Sequence, residues 1–132
     1  MSEEPEFDID KQVAHWRIGA DEAWEAAVDM INKDHRIQFG LFFVHLALEK
    51  IIKAHIWRVR EKVPPHIHNL IRLAELAELP LSDKNKKVLA EINEFNIEGR
   101  YSDLLGPPIS FQDARGYLRK AKGTFEWLKN QF

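Results

Sequence analysis

The hydrophobic positions of this chain repeat at helical spacing from about residue 11 almost to the end. Apolar residues three and four positions apart predict helices over 11–32, 39–59, 69–79 and 82–98, and a last helix after residue 110. No stretch alternates with period two for long enough to predict a strand. Because every connection is short, neighbouring helices should pack antiparallel. The pattern therefore predicts an all-α fold, an antiparallel bundle of about five helices with an up-and-down four-helix core and one short helix.

The predicted helix over 39–59 is the centre of this bundle, because its apolar residues cover almost every side. A helix of this kind is packed by neighbours in several directions, whereas a surface helix shows one apolar stripe. At about 1.5 Å per residue it spans roughly 30 Å, the depth of a small domain. The charged residues Glu49, Lys50 and Lys53 lie too near its middle for a membrane span. We expect a buried core helix and no membrane association.

Polar residues and prolines mark the predicted helix ends. Hydrogen-bond acceptors for free first-turn amides precede three helices, namely Asp8 or Asp10, Ser82, and Ser110 with Asp113. Pro64 and Pro65 should end the central helix, since neither residue donates an amide. Residues 1–9 are predicted to form a flexible arm, and residues 10–132 a single domain.

Composition and charge narrow the class of protein. The chain has 132 residues, of which 45% are hydrophobic and 30% charged, as in ordinary globular proteins. Its formal net charge of −2 provides no global attraction for nucleic acid. It has no cysteine, which excludes disulfides and thiolate chemistry. The N-terminus lacks the basic start and apolar run of a signal peptide, so we expect a cytoplasmic protein.

Few residues suggest chemistry by spacing alone. His45 and Glu49 are one helical turn apart, as helical metal ligands are, but no matching second pair is present. A buried polar pair satisfied by hydrogen bonds is the favoured interpretation. His66 and His68 could also bind a metal, although His68 stands where a side chain can cap the third helix. With no glycine-rich phosphate loop or nucleophile elbow either, we predict no metal and no cofactor.

Three segments together suggest a family. The first is Phe42-x-x-x-Leu46-Ala47-Leu48-Glu49-Lys50-x-x-Lys53-Ala54 in the central helix, and the second is Pro65-His66-Ile67-His68-Asn69-Leu70 before the third helix. The last is Arg100-Tyr101, a polar loop and a final helix beginning Ser110-x-x-x-Ala114. In this order and spacing, over residues 10–130, the segments resemble HEPN domains (higher eukaryotes and prokaryotes nucleotide-binding).

The resemblance implies an α-helical bundle that commonly forms a homodimer and is often encoded beside a minimal nucleotidyltransferase, in a toxin–antitoxin-like context. Many HEPN domains are metal-independent ribonucleases. Their site resembles an arginine followed four to six residues later by a histidine, with two copies meeting across the dimer. Such an arginine neutralises the scissile phosphate, and the histidine moves a proton.

This sequence departs from that catalytic pattern. Leu105, Gly106 and Pro107 occupy the positions where the histidine would follow Arg100, and none of them transfers a proton. We therefore predict no catalytic residues and a domain that binds a nucleotide or a nucleotidyltransferase partner. Arg100 would contact phosphate, Tyr101 would stack or hydrogen-bond, and Lys50 and Lys53 would add positive charge.

Three alternatives stay open at this stage. Arg60 and His66 have the separation of the catalytic motif, so the protein would be a metal-independent ribonuclease if they act together. Arg100 and Tyr101 could instead anchor their loop. A third reading is a dimerising scaffold without ligand, because Phe42, Phe43 and Leu46 exceed what one small core needs. Because of these excess apolar residues, we predict a homodimer.

Overall fold

The computed structural model describes residues 6–96 and 108–132, which form five α-helices and no strand. In chain order the helices are α1 (Ile9–Asn32), α2 (Ile37–Arg60), α3 (Leu70–Leu76), α4 (Asp83–Asn93) and α5 (Phe111–Lys129). The helices pack against one another around α2. The prediction of an all-α bundle with five helices is confirmed. None of these helices has the length and apolar content needed to cross a bilayer.

Helix α2 is buried on most sides, as its sequence predicts, and 14 of its 24 residues are buried. The exception is the side that includes the start of the helix, where Phe39 is 54% exposed. Phe42, Phe43 and Leu46 on the following turns are half-buried. The described part of the chain therefore covers α2 incompletely at its N-terminal half.

The pairing of α1 with α2 depends on a close approach at Gly40. A Cβ atom added there would lie 2.4 Å from Cγ1 of Ile31, closer than real Cβ atoms approach other heavy atoms. Any larger residue would therefore push the two helices apart. The approach follows directly on the connection between them, where His35 adopts a left-handed conformation with φ of 53°.

Helix α5 joins the other long elements. Its Phe125 ring stacks on Trp24 of α1 at a centroid distance of 4.9 Å. Its Thr124 hydroxyl donates to Asn85 Oδ1 of α4 at 2.8 Å. Ala114, Leu118, Ala121, Phe125 and Leu128 of α5 are buried, as the spacing predicts.

The side-chain caps follow the sequence for three helices. Asp8 accepts from the amide of Lys11, Ser82 from that of Asn85, and Ser110 from that of Asp113. The cap of α3 was predicted wrongly. Asn69 accepts from the amides of Ile71 and Arg72, while His68 lies outside the helix and contacts α2.

Helix α2 ends at Arg60, one residue past its predicted range, where Glu61 adopts a left-handed conformation with φ of 53°. Helices α3 and α4 end earlier than predicted. Helix α3 ends at Leu76 instead of residue 79, close to another left-handed residue, Glu78. Helix α4 ends at Asn93 instead of residue 98. Helical periodicity continues past each end, but it does not report the backbone conformation that ends a helix.

A buried histidine fixes the end of α5 to α2. His55 is fully buried, and its Nε2–H donates to the carbonyl of Leu128 at 2.7 Å. Its Nδ1 faces the Arg58 guanidinium at 3.4 Å, and Phe132 stacks on the ring at 3.7 Å. Burial, reinforced by the charges of Arg58 and Arg17, lowers the pKa of His55 to about 4 despite the hydrogen bond to Leu128. The imidazole is therefore neutral, with its proton on Nε2.

We predict that His55 makes the protein less stable in acid. The unfolded chain protonates this histidine near its ordinary pKa of 6.5, whereas the folded protein resists protonation down to about pH 4. Its contribution is complete above pH 6.5 and is lost as the pH falls toward 4, on the order of 3 kcal/mol in total. Urea unfolding at pH 7.5 and 4.5 measures the loss, which should shrink in His55→Gln. His15→Gln, at an exposed histidine, is the control. An unchanged loss in His55→Gln would contradict the assignment.

Candidate functional site

The core of α2 contains polar side chains where apolar ones would be expected. His45, Glu49 and Lys53 follow one another at intervals of four residues on one side of the helix, and each is at most 6% exposed. A charged group in such a place is costly unless it is paired and hydrogen-bonded. We call these three residues, together with His68, the buried polar network.

Glu49 is the centre of the buried polar network. Its Oε1 accepts from Nδ1 of His68 at 2.9 Å, and its Oε2 accepts from Nζ of Lys53 at 3.1 Å. Both carboxylate oxygens are therefore satisfied, one from the same helix and one from the segment before α3. The single chain supplies all of these contacts.

His45 enters the network through the backbone. Its Nε2–H donates to the carbonyl of His68 at 2.9 Å. Burial lowers the pKa of His45, although the Glu49 carboxylate acts in the opposite direction. The imidazole is neutral, and its Nδ1 lies 3.8 Å from Glu49 Oε1, beyond hydrogen-bond distance. His45 thus holds the His68 backbone while His68 holds the Glu49 side chain.

The sequence pointed to part of this arrangement. His45 and Glu49 are buried and hydrogen-bonded, in agreement with the favoured interpretation, but they are not bonded to each other. His45 is bonded to His68, and Glu49 to both His68 and Lys53. Among residues 6–96 and 108–132 no group of three or more histidine, aspartate or glutamate side chains is placed to hold a metal ion.

Lys50 and Lys53, the two lysines of α2 in the family motif, lie in different surroundings. Lys53 is buried in its ion pair with Glu49, and its Nζ lies 5.8 Å from the ring centre of Trp16. Lys50 is half-buried, and its side chain lies across α1 at Gly19. A Cβ atom added to this glycine would be 3.3 Å from Nζ of Lys50. No hydrogen bond or ion pair to Lys50 is present in the described part of the chain.

Lys50 lines a groove between α1 and α2. The groove has a volume of about 190 Å³ and is lined by His15, Trp16, Ile18, Gly19, Glu22 and Lys50. The rings of His15 and Trp16 meet edge to face, with centroids 6.1 Å apart. One ammonium group and two aromatic rings therefore border the same small space, with one carboxylate, that of Glu22.

Arg60 and His66 occupy separate settings at the α2–α3 connection. The Nε–H of Arg60 donates to the carbonyl of Leu76 at 2.7 Å, at the C-terminal end of α3. His66 is exposed in the connection itself. No hydrogen bond or ion pair joins these two residues within the described segments.

Arg100 and Tyr101, the nucleotide-binding residues predicted from the third motif, lie outside the described residues. On either side of that segment, Phe95 of the α4 end packs edge to face on Tyr117 of α5 at 4.9 Å. The assignment of Arg100 and Tyr101 to nucleotide binding stays a prediction.

The fold defines this protein as an all-helical domain. Its central helix contains a buried network of glutamate, lysine and histidine. The sequence profile of the HEPN domain family matches residues 13–131, nearly the whole chain. The chain belongs to the HEPN family, a family of nucleotide-binding and ribonuclease-type domains. Searches of curated proteins and of solved structures gave no significant match.

We predict strong energetic coupling between Glu49 and Lys53. Either Glu49→Leu or Lys53→Met leaves a buried charge without its partner and should cost about 3–5 kcal/mol of unfolding free energy. The double variant should lose well under the sum of the two. A double-mutant cycle by urea unfolding measures this difference.

The exposed pair Asp29–Lys33, with the same i, i+4 spacing and an N–O distance of 3.5 Å, is the matched control. Its coupling should be below about 0.5 kcal/mol, because water screens the two charges. Additive losses at Glu49 and Lys53 would show that the buried pair does not act as a unit.

Proposed function

We propose that this HEPN domain binds the phosphate of a nucleotide through Lys50 and Arg100, and that Tyr101 stacks on the ligand or hydrogen-bonds to it. The main support for this proposal is the half-buried ammonium of Lys50. It has no ion partner in the described residues, and it borders a groove with two aromatic rings. A cation beside aromatic faces suits a ligand that has both a phosphate and a base. The roles of Arg100 and Tyr101 rest on the family resemblance.

Lys50 is a better candidate for phosphate binding than Lys53. The ammonium of Lys53 is buried against Glu49, so a phosphate would have to displace a carboxylate to reach it. Lys50 reaches the groove on the α1 side without breaking a described contact. The negative charge of Glu22 on the same groove favours a ligand whose phosphate is held at the Lys50 end.

We predict that nucleotide binding depends on Lys50 and Arg100. In isothermal titration with ATP, the other nucleoside triphosphates and a short RNA, Lys50→Ala and Arg100→Ala should each weaken binding about ten- to a hundred-fold. This range corresponds to one hydrogen bond to a charged group. The control is Lys33→Ala, which removes a lysine at the C-terminal end of α1 whose side chain is 75% exposed.

The outcomes of that titration separate the readings. A loss in Arg100→Ala with no change in Lys50→Ala would place the ligand away from the α1–α2 groove. No binding of any nucleotide or RNA would overturn the proposal and favour a scaffold without ligand.

Ribonuclease activity through Arg60 and His66 is the second candidate, and it rests on their spacing alone. Because Arg60 is hydrogen-bonded to Leu76, its guanidinium would have to contact phosphate with its other nitrogens. The candidate requires RNA cleavage without metal that is lost in His66→Ala. Cleavage that persists in this variant would remove it.

Two protein partners belong to the proposal. A minimal nucleotidyltransferase is the first, on the family resemblance, and coelution of the two chains after coexpression tests it. The second is another copy of this chain, packed on the incompletely covered side of α2. We propose the cytoplasm as the compartment.

We predict a homodimer that Phe39→Ser weakens. Phe39 is 54% exposed and adjoins the half-buried Phe42, Phe43 and Leu46, so a second subunit would bury this surface. Light scattering at micromolar concentration should give twice the chain mass, and Phe39→Ser should give a monomer with unchanged helicity. Ile18→Ser, at an α1 residue that is 59% exposed, is the control. A monomeric wild-type protein would contradict the prediction.

A further inference from the structure

The row of buried polar side chains on α2 continues one step beyond the buried polar network. Its members follow one another at intervals of four residues, so each adjoins the next along the helix, and they are His45, Glu49, Lys53 and Trp57. Trp57 is 3% exposed. The first three side chains have hydrogen-bond partners, whereas the indole N–H of Trp57 is buried without an acceptor in the described chain. The row therefore ends in one unused donor.

The neighbouring polar groups on α2 do not serve this donor. Lys53, one turn earlier, has only N–H groups to offer, and its ammonium donates to Glu49 at 3.1 Å. Both carboxylate oxygens of Glu49 are already bonded, one to Lys53 and one to His68. A buried N–H without an acceptor is unfavourable, and such groups are rare in folded proteins. An acceptor for Trp57 would therefore come from a bound molecule.

Phe7 packs on Trp57 from the segment before α1. The two rings meet edge to face, with centroids 5.0 Å apart and planes at 70°. Phe7 is itself 39% exposed, and its neighbour Asp8 bonds only within the first turn of α1, to the amides of Lys11 and Gln12. In the described chain no hydrogen bond or ion pair ties residues 6–8 to another helix. The Phe7 side chain can therefore leave Trp57 without disrupting the bundle.

We infer that Trp57 binds a small aromatic compound with an uncharged carbonyl group, which takes the place of Phe7. The ring of the ligand packs on the indole as Phe7 does, and its carbonyl oxygen accepts from Nε1 of Trp57. An uncharged acceptor suits this place, because Glu49 and Lys53 already neutralise each other and a further buried carboxylate would have no counter-ion in the network. This site is separate from the Lys50 groove and does not depend on nucleotide binding there.

The exchange of rings determines how tightly such a ligand binds. One aromatic ring replaces another on Trp57, so the burial of apolar surface changes little. The net gain is the hydrogen bond to the indole N–H, which Phe7 does not provide. We therefore expect weak binding, with a Kd that is roughly millimolar for a ligand of this size.

The test is a ¹H–¹⁵N NMR titration of the indole groups with 3-phenylpropanamide. The chain has four tryptophans, and Trp57→Phe identifies the indole signal of Trp57 by its loss. This signal should move downfield as the amide is added, because the N–H gains an acceptor. The control ligand is 3-phenylpropylamine, which has the same ring and chain length but no carbonyl group, and it should produce no downfield shift.

Variants test the two rings separately. Phe7→Ala should tighten binding of the amide about three- to ten-fold, because no aromatic contact has to be broken first. Phe39→Ala, at the other end of α2, removes a phenylalanine that is 54% exposed and should leave the affinity unchanged. In the Phe7→Ala background, Trp57→Phe keeps a ring without the N–H, and ligand-observed saturation transfer should show binding weakened roughly two- to ten-fold.

Three results would overturn the inference. The first is a Trp57 signal that moves in neither the wild-type protein nor Phe7→Ala. The second is an equal downfield shift with 3-phenylpropylamine, which would show a ring contact without a hydrogen bond. The third is tighter binding of 3-phenylpropionate than of the amide, which would contradict an uncharged acceptor. Circular dichroism of each variant checks that its helicity is unchanged.

Discussion

The buried carboxylate of Glu49 is the constraint on which the arrangement of α2, α3 and their connection depends. A lone carboxylate in this position would be protonated or would unfold its surroundings. The chain meets the requirement with three groups at once, which are the ammonium of Lys53, Nδ1 of His68, and His45, which fixes the backbone of His68. The position of His68 in turn determines where Asn69 begins α3. A polar interaction inside the core thus helps to set the path of the segment before α3.

The same helix carries one lysine that is buried in an ion pair and one that is half-buried beside α1. Lys50 and Lys53 differ by three residues, yet Lys53 shares its side of α2 with Glu49 and is buried, while Lys50 crosses the bare backbone of α1 at Gly19. A helix carries its i and i+4 positions on one side, so Glu49 reaches Lys53 and leaves Lys50 aside. The glycine matters in this arrangement, because a side chain at residue 19 would compete with the lysine for the same space. The family motif contains both lysines, but only the structure distinguishes their surroundings.

Much of the fold could be predicted from the sequence, because it depends on local patterns. The apolar period of 3.6 residues located all five helices, and the short polar residues Asp8, Ser82 and Ser110 located three of their N-termini. The early end of α3, close to the left-handed residue Glu78, was missed, because a glutamate gives no sign that it will adopt that conformation. The contact between His68 and Glu49 was also missed, since nineteen residues separate them. Spacing suggested His45 as the partner of Glu49, whereas tertiary packing supplied a residue from another segment.

The histidines show where chemistry can and cannot be placed in this domain. A general acid or base works best with a pKa near neutrality and access to its substrate. Burial lowers the pKa of His45 and of His55, so both are neutral hydrogen-bonding groups at pH 7, tied to backbone carbonyls of other segments. Two further histidines also make contacts with other segments, since His68 donates to Glu49 and the ring of His35 stacks on Phe111. The arrangement uses its most central imidazoles to hold the bundle together.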